Sequence, residues 1–460
     1  MKFLIWVLVV IYFTLLIFLT QHTGWIEMVV YPYLLNHGFT YYKDLIMPYP
    51  PLLLWVLQSV EKVFGYSPMV LIVLSLLLGL LNTWLIYFFS LKIWKSNKLA
   101  LSSVFIYSLW FFFFEGNGLW FELFQTPFIL AAFYFLYDYF FMSEKEQVKK
   151  LFLAGLFLGI AFFIKQNVVW LMILSFGLCL IYKRANLIKV VTWLALPFLG
   201  LLVLTSAVAY LGGYLNEYWQ WAFNYSFLYF PTSPGHNAYP TLADLSRVAI
   251  VLVCLLPMLF GKFSFKKLFL LLFLLGAFMS ALPRWGLFHL QPFLAVLALV
   301  TPEYIGQWLG KKPVIKGVLV VGVLLIWIAI VTRQDLRMFN KPIRFFEPQI
   351  YSQAMQISNL GTDSIYILNG SDQIYPISGT VPKVKPYVQN FAWYLEYDGL
   401  QDQVISSLQS VKPKLIIVSP FQEPAGFGIG HYRPQKILEY VNQNYQVKGL
   451  IDSNVVWEKK

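Results

Sequence analysis

The sequence predicts a polytopic α-helical membrane protein that ends in a small α/β domain, and three observations carry that prediction. Hydrophobic residues make up 59% of the chain and charged residues 12%, against about 45–50% and about 25% in soluble domains. Apolar runs of near-spanning length recur from Phe3 to Thr332. Beyond them, charges, amides and turn residues return.

A helix needs about 20 apolar residues to cross about 30 Å of hydrocarbon. Runs approaching that length lie near 3–20, 68–91, 99–114, 119–141, 151–164, 168–182, 190–212, 247–260, 268–283, 286–302 and 314–332. They give about 11 transmembrane helices, several of them short. Gln21-His22-Thr23-Gly24 does not form a small-x-small cleavage site, so the first run reads as a retained signal-anchor helix. The run 52–64 is too short to span and carries Glu61 and Lys62, which suits a juxtamembrane helix or the foot of the next span.

The net charge of +12 does not point to nucleic acid, because the cations sit in short loops between apolar runs. With the N-terminus in the cytoplasm, inside loops hold Lys92, Lys95 and Lys98; Lys145, Lys149 and Lys150; Lys183, Arg184 and Lys189; Lys262, Lys266 and Lys267; and Lys311, Lys312 and Lys316. Outside connections hold Lys43, Lys165, Arg247 and Arg284. That asymmetry is the positive-inside pattern of a cytoplasmic (inner) membrane protein. Cys179 and Cys254 both lie within apolar runs, which supports neither a disulfide framework nor a thiolate metal site.

Two outer connections are long. The first, 21–67, contains GWIEMVVYPYLLNHGFTYYKDLIMPYPP; the second, 213–246, is rich in aromatics and proline. Loops of this length often serve as lids, although aromatics at this depth also build interfacial belts. The membrane domain is expected over 1–335. Residues 336–460 read as an extracytoplasmic α/β domain, with strands at Ser364–Leu368 and Lys414–Val418, a helix near Pro434–Asn444, and a closing pair Tyr445–Ile451 and Val455–Glu458.

Ionisable groups at the edges of apolar runs are expensive there and raise a functional hypothesis. Glu27, Asp44, Glu115, Glu122, Lys165, Arg284 and His289 qualify. Each also has an ordinary reading. Glu27 suits a solvated face of a juxtamembrane helix. Asp44 suits a turn cap or a pair with Lys43. Glu115 suits a water-exposed turn at Gly116-Asn117-Gly118. Lys165 and Arg284 suit snorkelling to the interface, and His289 a satisfied buried histidine. Glu122, set one turn into the apolar run 119–141, is the hardest to explain without function. Acids together with Lys, Arg and His suit a reaction needing a base and a place for anionic charge.

Taken in order, these residues resemble the GT-C glycosyltransferases, and within them the group of protein O-mannosyltransferases and lipid A aminoarabinose transferases. The resemblance rests on Glu27; on Gly38, Tyr42, Asp44, Pro50 and Pro51; on Glu122; on Lys165-Gln166; and on Pro283-Arg284 with His289. In one place the pattern departs from the family. His22, Thr23 and Gly24 stand where the family usually has an acidic residue about one helical turn before Glu27.

The resemblance implies an inverting transfer of a sugar from a polyprenyl-phosphate donor, on the outer face of the membrane, to a protein, lipid or glycan acceptor. A carboxylate (Glu27, Asp44 or Glu122) would take the acceptor's proton. Lys165, Arg284 and His289 would hold the leaving phosphate. Glu115, Asn117, Gln166 and Tyr42 are substrate-site candidates. No cofactor and no resident metal are expected, a divalent ion at the acids being the open point, and neither is nucleic acid. Two other readings remain: a transporter or flippase for a lipid-linked sugar, and a catalytically altered, scaffold-like relative.

Overall fold

The computed structural model describes residues 2–143, 148–182, 187–233, 236–259, 262–310, 321–322, 325–330, 332–333, 336–361, 364–388, 394–395, 397–420 and 434–460. The expected crossing 314–332 falls largely outside the described residues, as do Lys145, Lys183, Arg184, Lys311, Lys312 and Lys316. The chain forms two compact units. One comprises residues 1–22, 72–204 and 239–341; the other comprises 23–71, 205–238 and 342–460.

The first unit is helical. Its innermost helix is Gln291–Leu309, in which every residue from Gln291 to Pro302 is buried. It packs against Asn97–Phe113 and Phe121–Phe141, and Phe121–Phe141 packs in turn along Val148–Ile164. Among the described residues four helices are long and apolar enough to cross a membrane: Pro68–Trp94, Ile188–Leu211, Leu242–Leu259 and Leu287–Leu309. Burial separates them. The last is 83% buried, while the other three are only 17–33% buried. A helix apolar all round yet at least two-thirds uncovered needs an apolar solvent, and exposed Leu77, Leu81, Leu199 and Val203 supply that lipid-facing surface.

Small residues set the closest helix crossing. A Cβ built on Gly155 would lie 2.0 Å from the Leu194 carbonyl oxygen, and one on Gly159 would lie 2.9 Å from the Leu201 side chain. The G-x-x-x-G spacing puts both glycines on one face, so the backbones of Val148–Ile164 and the helix beginning at Leu187 can touch. The expected run 268–283 is shorter as a helix, Phe265–Met279, and the chain turns before Pro283.

The second unit joins segments distant in sequence. Helices Ile26–Asn36 and Leu52–Phe64 pack together, and the turn between them uses left-handed backbone at Gly38 and Tyr42. The expected loop 213–246 is instead mostly helical where described. Within this unit it runs through Leu215–Trp219, a π-helix at Gln220–Tyr229 and a 3₁₀ turn at Phe230–Thr232; its end belongs to the first unit, where a capping box of Thr241 with Asp244 opens Leu242–Leu252. Aromatic side chains packed on one another there replace the water contacts of a loop, as with Trp221 on Tyr225 at 4.9 Å.

Near the end of the chain lie strands β1 (Ile365–Leu368), β2 (Leu415–Val418), β3 (Tyr445–Ile451) and β4 (Asn454–Lys459), in the order β1-β2-β4-β3. β1 and β2 are parallel; β4 is antiparallel to both β2 and β3. β1 is buried throughout and β2 nearly so, which is why both are unbroken Ile/Leu/Tyr/Val runs. Asp452 takes the left-handed conformation that the β3-β4 turn requires.

Candidate active site

Three residues that the sequence singles out separately meet in the first unit. Glu122 lies in the first turn of Phe121–Phe141 rather than one turn in, because the helix starts later than the apolar run. A carboxylate is favoured at that end by the helix dipole. Its Oε1 accepts from Lys165 Nζ at 2.7 Å and lies 2.6 Å from His289 Nδ1. Lys165 Nζ and His289 Nδ1 are 3.4 Å apart. The Glu122 side chain is 1% exposed, His289 7% and Lys165 14%, so this ion pair is sheltered from water. Lys165 therefore turns inward to a carboxylate instead of snorkelling.

The backbone around Lys165 is fixed by a residue the sequence reading passed over. Gln125 sits three residues after Glu122, and its Nε2 donates to the Ala161 and Lys165 carbonyls, both at 2.8 Å, and to Asn167 Oδ1 at 3.1 Å. Asn167 Nδ2 in turn donates to the Ser280 carbonyl at 2.8 Å. Helix Val148–Ile164 ends with Lys165 extended (φ −158°), and the 3₁₀ turn Gln166–Val168 follows. Gln125 thus adds a second donor to the Ala161 carbonyl, which also accepts from the Lys165 N–H at 3.2 Å, and takes up the Lys165 carbonyl beyond the helix end. A glutamine within the apolar run 119–141 was the available sequence signal.

His289 comes from the 3₁₀ turn Leu287–Leu290. Phe288 stacks on Trp120 with centroids 3.8 Å apart and planes 9° from parallel. This ring pair joins the segments bearing His289 and Glu122, a contact worth about 0.5–1.5 kcal/mol beyond burial. Arg284 is half-buried in the same unit and within electrostatic range of His289.

The other candidates of this unit take different places. Gln166 is buried beside Lys165 in sequence. Asn117 Nδ2 donates to Thr20 Oγ1 at 3.0 Å and to the Gln21 carbonyl at 2.5 Å, which ties the turn to the end of the first helix. Glu115 is exposed in left-handed backbone, and its carbonyl accepts from Trp120 Nε1. It marks the turn at Gly116-Asn117-Gly118.

Glu27, Tyr42 and Asp44 belong to the second unit. Glu27 is not on a solvated face: it is 2% exposed, in the first turn of Ile26–Asn36. Asp44 does cap its turn, its Oδ2 accepting from Thr40 N–H at 2.9 Å, but its cation is Lys385 at 2.9 Å and not the neighbouring Lys43. Tyr42 is buried, donates to the Tyr49 carbonyl at 2.7 Å, and has a phenol pushed well above its ordinary pKa by burial, then by Tyr218, Tyr214 and Tyr41. Among the described residues, no three His, Cys, Asp or Glu side chains form a metal-binding group.

Residues 48–210 match the family model described as dolichyl-phosphate-mannose-protein mannosyltransferase. No curated protein sequence matches the chain. Among solved structures, ArnT from Cupriavidus metallidurans bound to undecaprenyl phosphate superposes with a TM-score of 0.60 at 10% identity, over 99% of this chain and 97% of that one. The archaeal oligosaccharyltransferase AglB from Archaeoglobus fulgidus, in complex with an inhibitory peptide and a dolichol-phosphate, gives 0.55 at 10% identity, over 99% of this chain and 74% of that one. The chain has the GT-C membrane fold and resembles the protein mannosyltransferase and ArnT group.

Proposed function

We propose that this multi-pass membrane protein is an inverting glycosyltransferase that moves a sugar from a polyprenyl-phosphate donor to an acceptor at the outer face of the cytoplasmic membrane. About 11 crossings, the last within 314–332, would place the N-terminus inside and residues 336–460 outside. The observation that carries the reading is the buried Glu122–Lys165–His289 cluster, at 2.6–2.7 Å, in a fold shared with proteins whose structures hold undecaprenyl phosphate or dolichol-phosphate.

Lys165 is the cation that meets the donor phosphate, with Arg284 adding positive charge and His289 hydrogen bonding. Glu122 is an anchor and not the base, since its carboxylate is sheltered from water and one oxygen already meets both the Lys165 ammonium and the His289 imidazole, whereas the Asp44–Lys385 pair is partly open to water. It holds Lys165 in one position before substrate arrives, so little reorganisation is needed as charge develops on the phosphate. Proton removal from the acceptor hydroxyl falls to an acid of the opening segment, Glu27 or Asp44. No metal is needed to offset the leaving charge where fixed cations do so.

The test uses the full chain in lipid nanodiscs with a polyprenyl-phosphate sugar, reading release of polyprenyl phosphate. Lys165→Ala should lower turnover by about 10²–10³-fold, the range for loss of one preorganised charge-stabilising group. Wild-type turnover in Lys165→Ala would remove the proposed phosphate contact. Movement of lipid-linked sugar across the bilayer with no release of polyprenyl phosphate would replace the enzyme with a transporter.

A further inference from the structure

A cleft of about 480 Å³ lies wholly within the second unit, and the proposed chemistry makes no use of it. Its walls combine aromatic residues with short polar side chains. Trp221 and Tyr397 lie 5.2 Å apart at ring centroids, and Tyr42 contributes a third aromatic. Asn216, Glu217 and Gln220 are presented from Leu215–Trp219 and the start of the π-helix Gln220–Tyr229, and Gln403 faces in from helix Leu400–Val411.

The aromatic wall is built rather than incidental. Trp221 is backed by Tyr225 at 4.9 Å, and Tyr225 and Tyr229 both meet Tyr397, at 5.4 and 5.2 Å. Gln220 Nε2 donates to the Tyr397 hydroxyl at 2.5 Å, which fixes that ring's edge. The π-helical winding at Gln220–Tyr229 is uncommon and concentrates at functional sites.

Charge narrows the ligand. The cleft carries one cation, Lys43, and one carboxylate, Glu217, so it offers no net field for a phosphate or a sulfate. Amides and a carboxylate present donors and acceptors in pairs, as vicinal hydroxyls require, and aromatic rings offer π-faces to the C–H faces of a pyranose. A few placed polar groups around apolar walls is the usual make-up of a small-ligand site.

We propose that this cleft binds a neutral saccharide, the carbohydrate portion of the acceptor. The proposal rests on the glycosyltransferase reading and names the acceptor class as a glycan or glycoconjugate. Gln220 and Gln403 provide the hydrogen bonds and the half-buried Tyr397 ring the stacking face, with the buried Trp221 packed behind it.

The experiment is saturation-transfer NMR on the full chain in nanodiscs, with a mixture of neutral gluco-, manno- and galacto-configured trisaccharides and a sialylated trisaccharide as the anionic comparison. At least one neutral trisaccharide should bind, and Gln220→Ala and Gln403→Ala should each weaken it about tenfold, equivalent to about 1.4 kcal/mol. Trp221→Ala removes a buried ring and risks the fold; Gln403 is exposed, and its variant should melt within a few degrees of wild type. Absence of neutral binding, preference for the anionic sugar, or equal binding by both glutamine variants would overturn the proposal. Loss of polyprenyl phosphate release in Lys165→Ala with saccharide binding intact would separate the two readings, since the first reports donor chemistry and the second only the cleft.

Discussion

Lys165 Nζ and Glu122 Oε1 stand 2.7 Å apart with the carboxylate side chain 1% exposed, although the two residues are 43 positions apart. Removing one partner of such a pair leaves a buried charge uncompensated, whereas removing both need not. Lys165→Met alone should therefore destabilise the chain by about 3–5 kcal/mol, and Glu122→Gln with Lys165→Met should recover most of that while restoring no turnover. Thermal melting and donor turnover on the four members of the cycle check this. A double variant as unstable as the single one would mean that the pair does not interact in the folded protein.

Asp44 accepts from its own turn and from Lys385. The Lys385 side chain is 40% exposed, so the ion pair itself contributes at most about 1 kcal/mol. Lys385→Ala should change stability by less than that. Asp44→Asn should cost about 1.5–3 kcal/mol if loss of the charged acceptor at Thr40 dominates. If Asp44 is the base, Asp44→Asn should lose turnover by far more than its melting shift explains; if Glu27 is the base, Glu27→Gln should do so instead. Normal turnover in both variants would remove the general-base assignment to this segment.

Gly155 is the tightest point between its helix and the one beginning at Leu187. Gly155→Leu cannot be accommodated by a rotamer change, because the obstacle at 2.0 Å is backbone. Overpacking at such a contact costs about 1–3 kcal/mol or more. Gly177, which meets nothing within 4 Å, is the matched control, and Gly177→Leu should leave the melting temperature within a few degrees. Equal melting of the two variants would show that the close approach does not matter.

His22 is buried beyond the end of the first helix, and burial lowers its pKa from 6.5 to about 4. Because the folded value is the lower one, the unfolded chain binds the proton more readily. The stability contribution is complete above about pH 6.5 and is lost as pH falls towards about 4, by up to about 3 kcal/mol. The apparent melting temperature should fall over that window in the wild type and fall less in His22→Gln. Parallel pH profiles would exclude His22 as the source.

Local signals in the chain were sufficient for elements whose residues state their own environment. The strands at Ile365–Leu368 and Leu415–Val418 and the pairing of Tyr445–Ile451 with Asn454–Lys459 follow from apolar runs and turn residues. The segment 213–246 misled, because prolines and aromatics read as a loop while the rings find partners in one another only after folding. The ordinary alternative for Glu27, a solvated carboxylate on an amphipathic helix, fails as well, since the residue is buried and within electrostatic range of Tyr394, far along the chain.

The sequence by itself determined that this is a membrane protein, since hydropathy is additive along the chain and needs no knowledge of neighbours. It also picked out Glu122, Lys165 and His289 one at a time, each as a polar group costly in its setting. That the three share one oxygen was decided only by tertiary structure. Their meeting depends on where Val148–Ile164 stops, on Gln125 holding the Lys165 backbone, and on Trp120 stacking against Phe288. Those are contacts between helices, set by shape and close approach, and hydropathy carries no information about them.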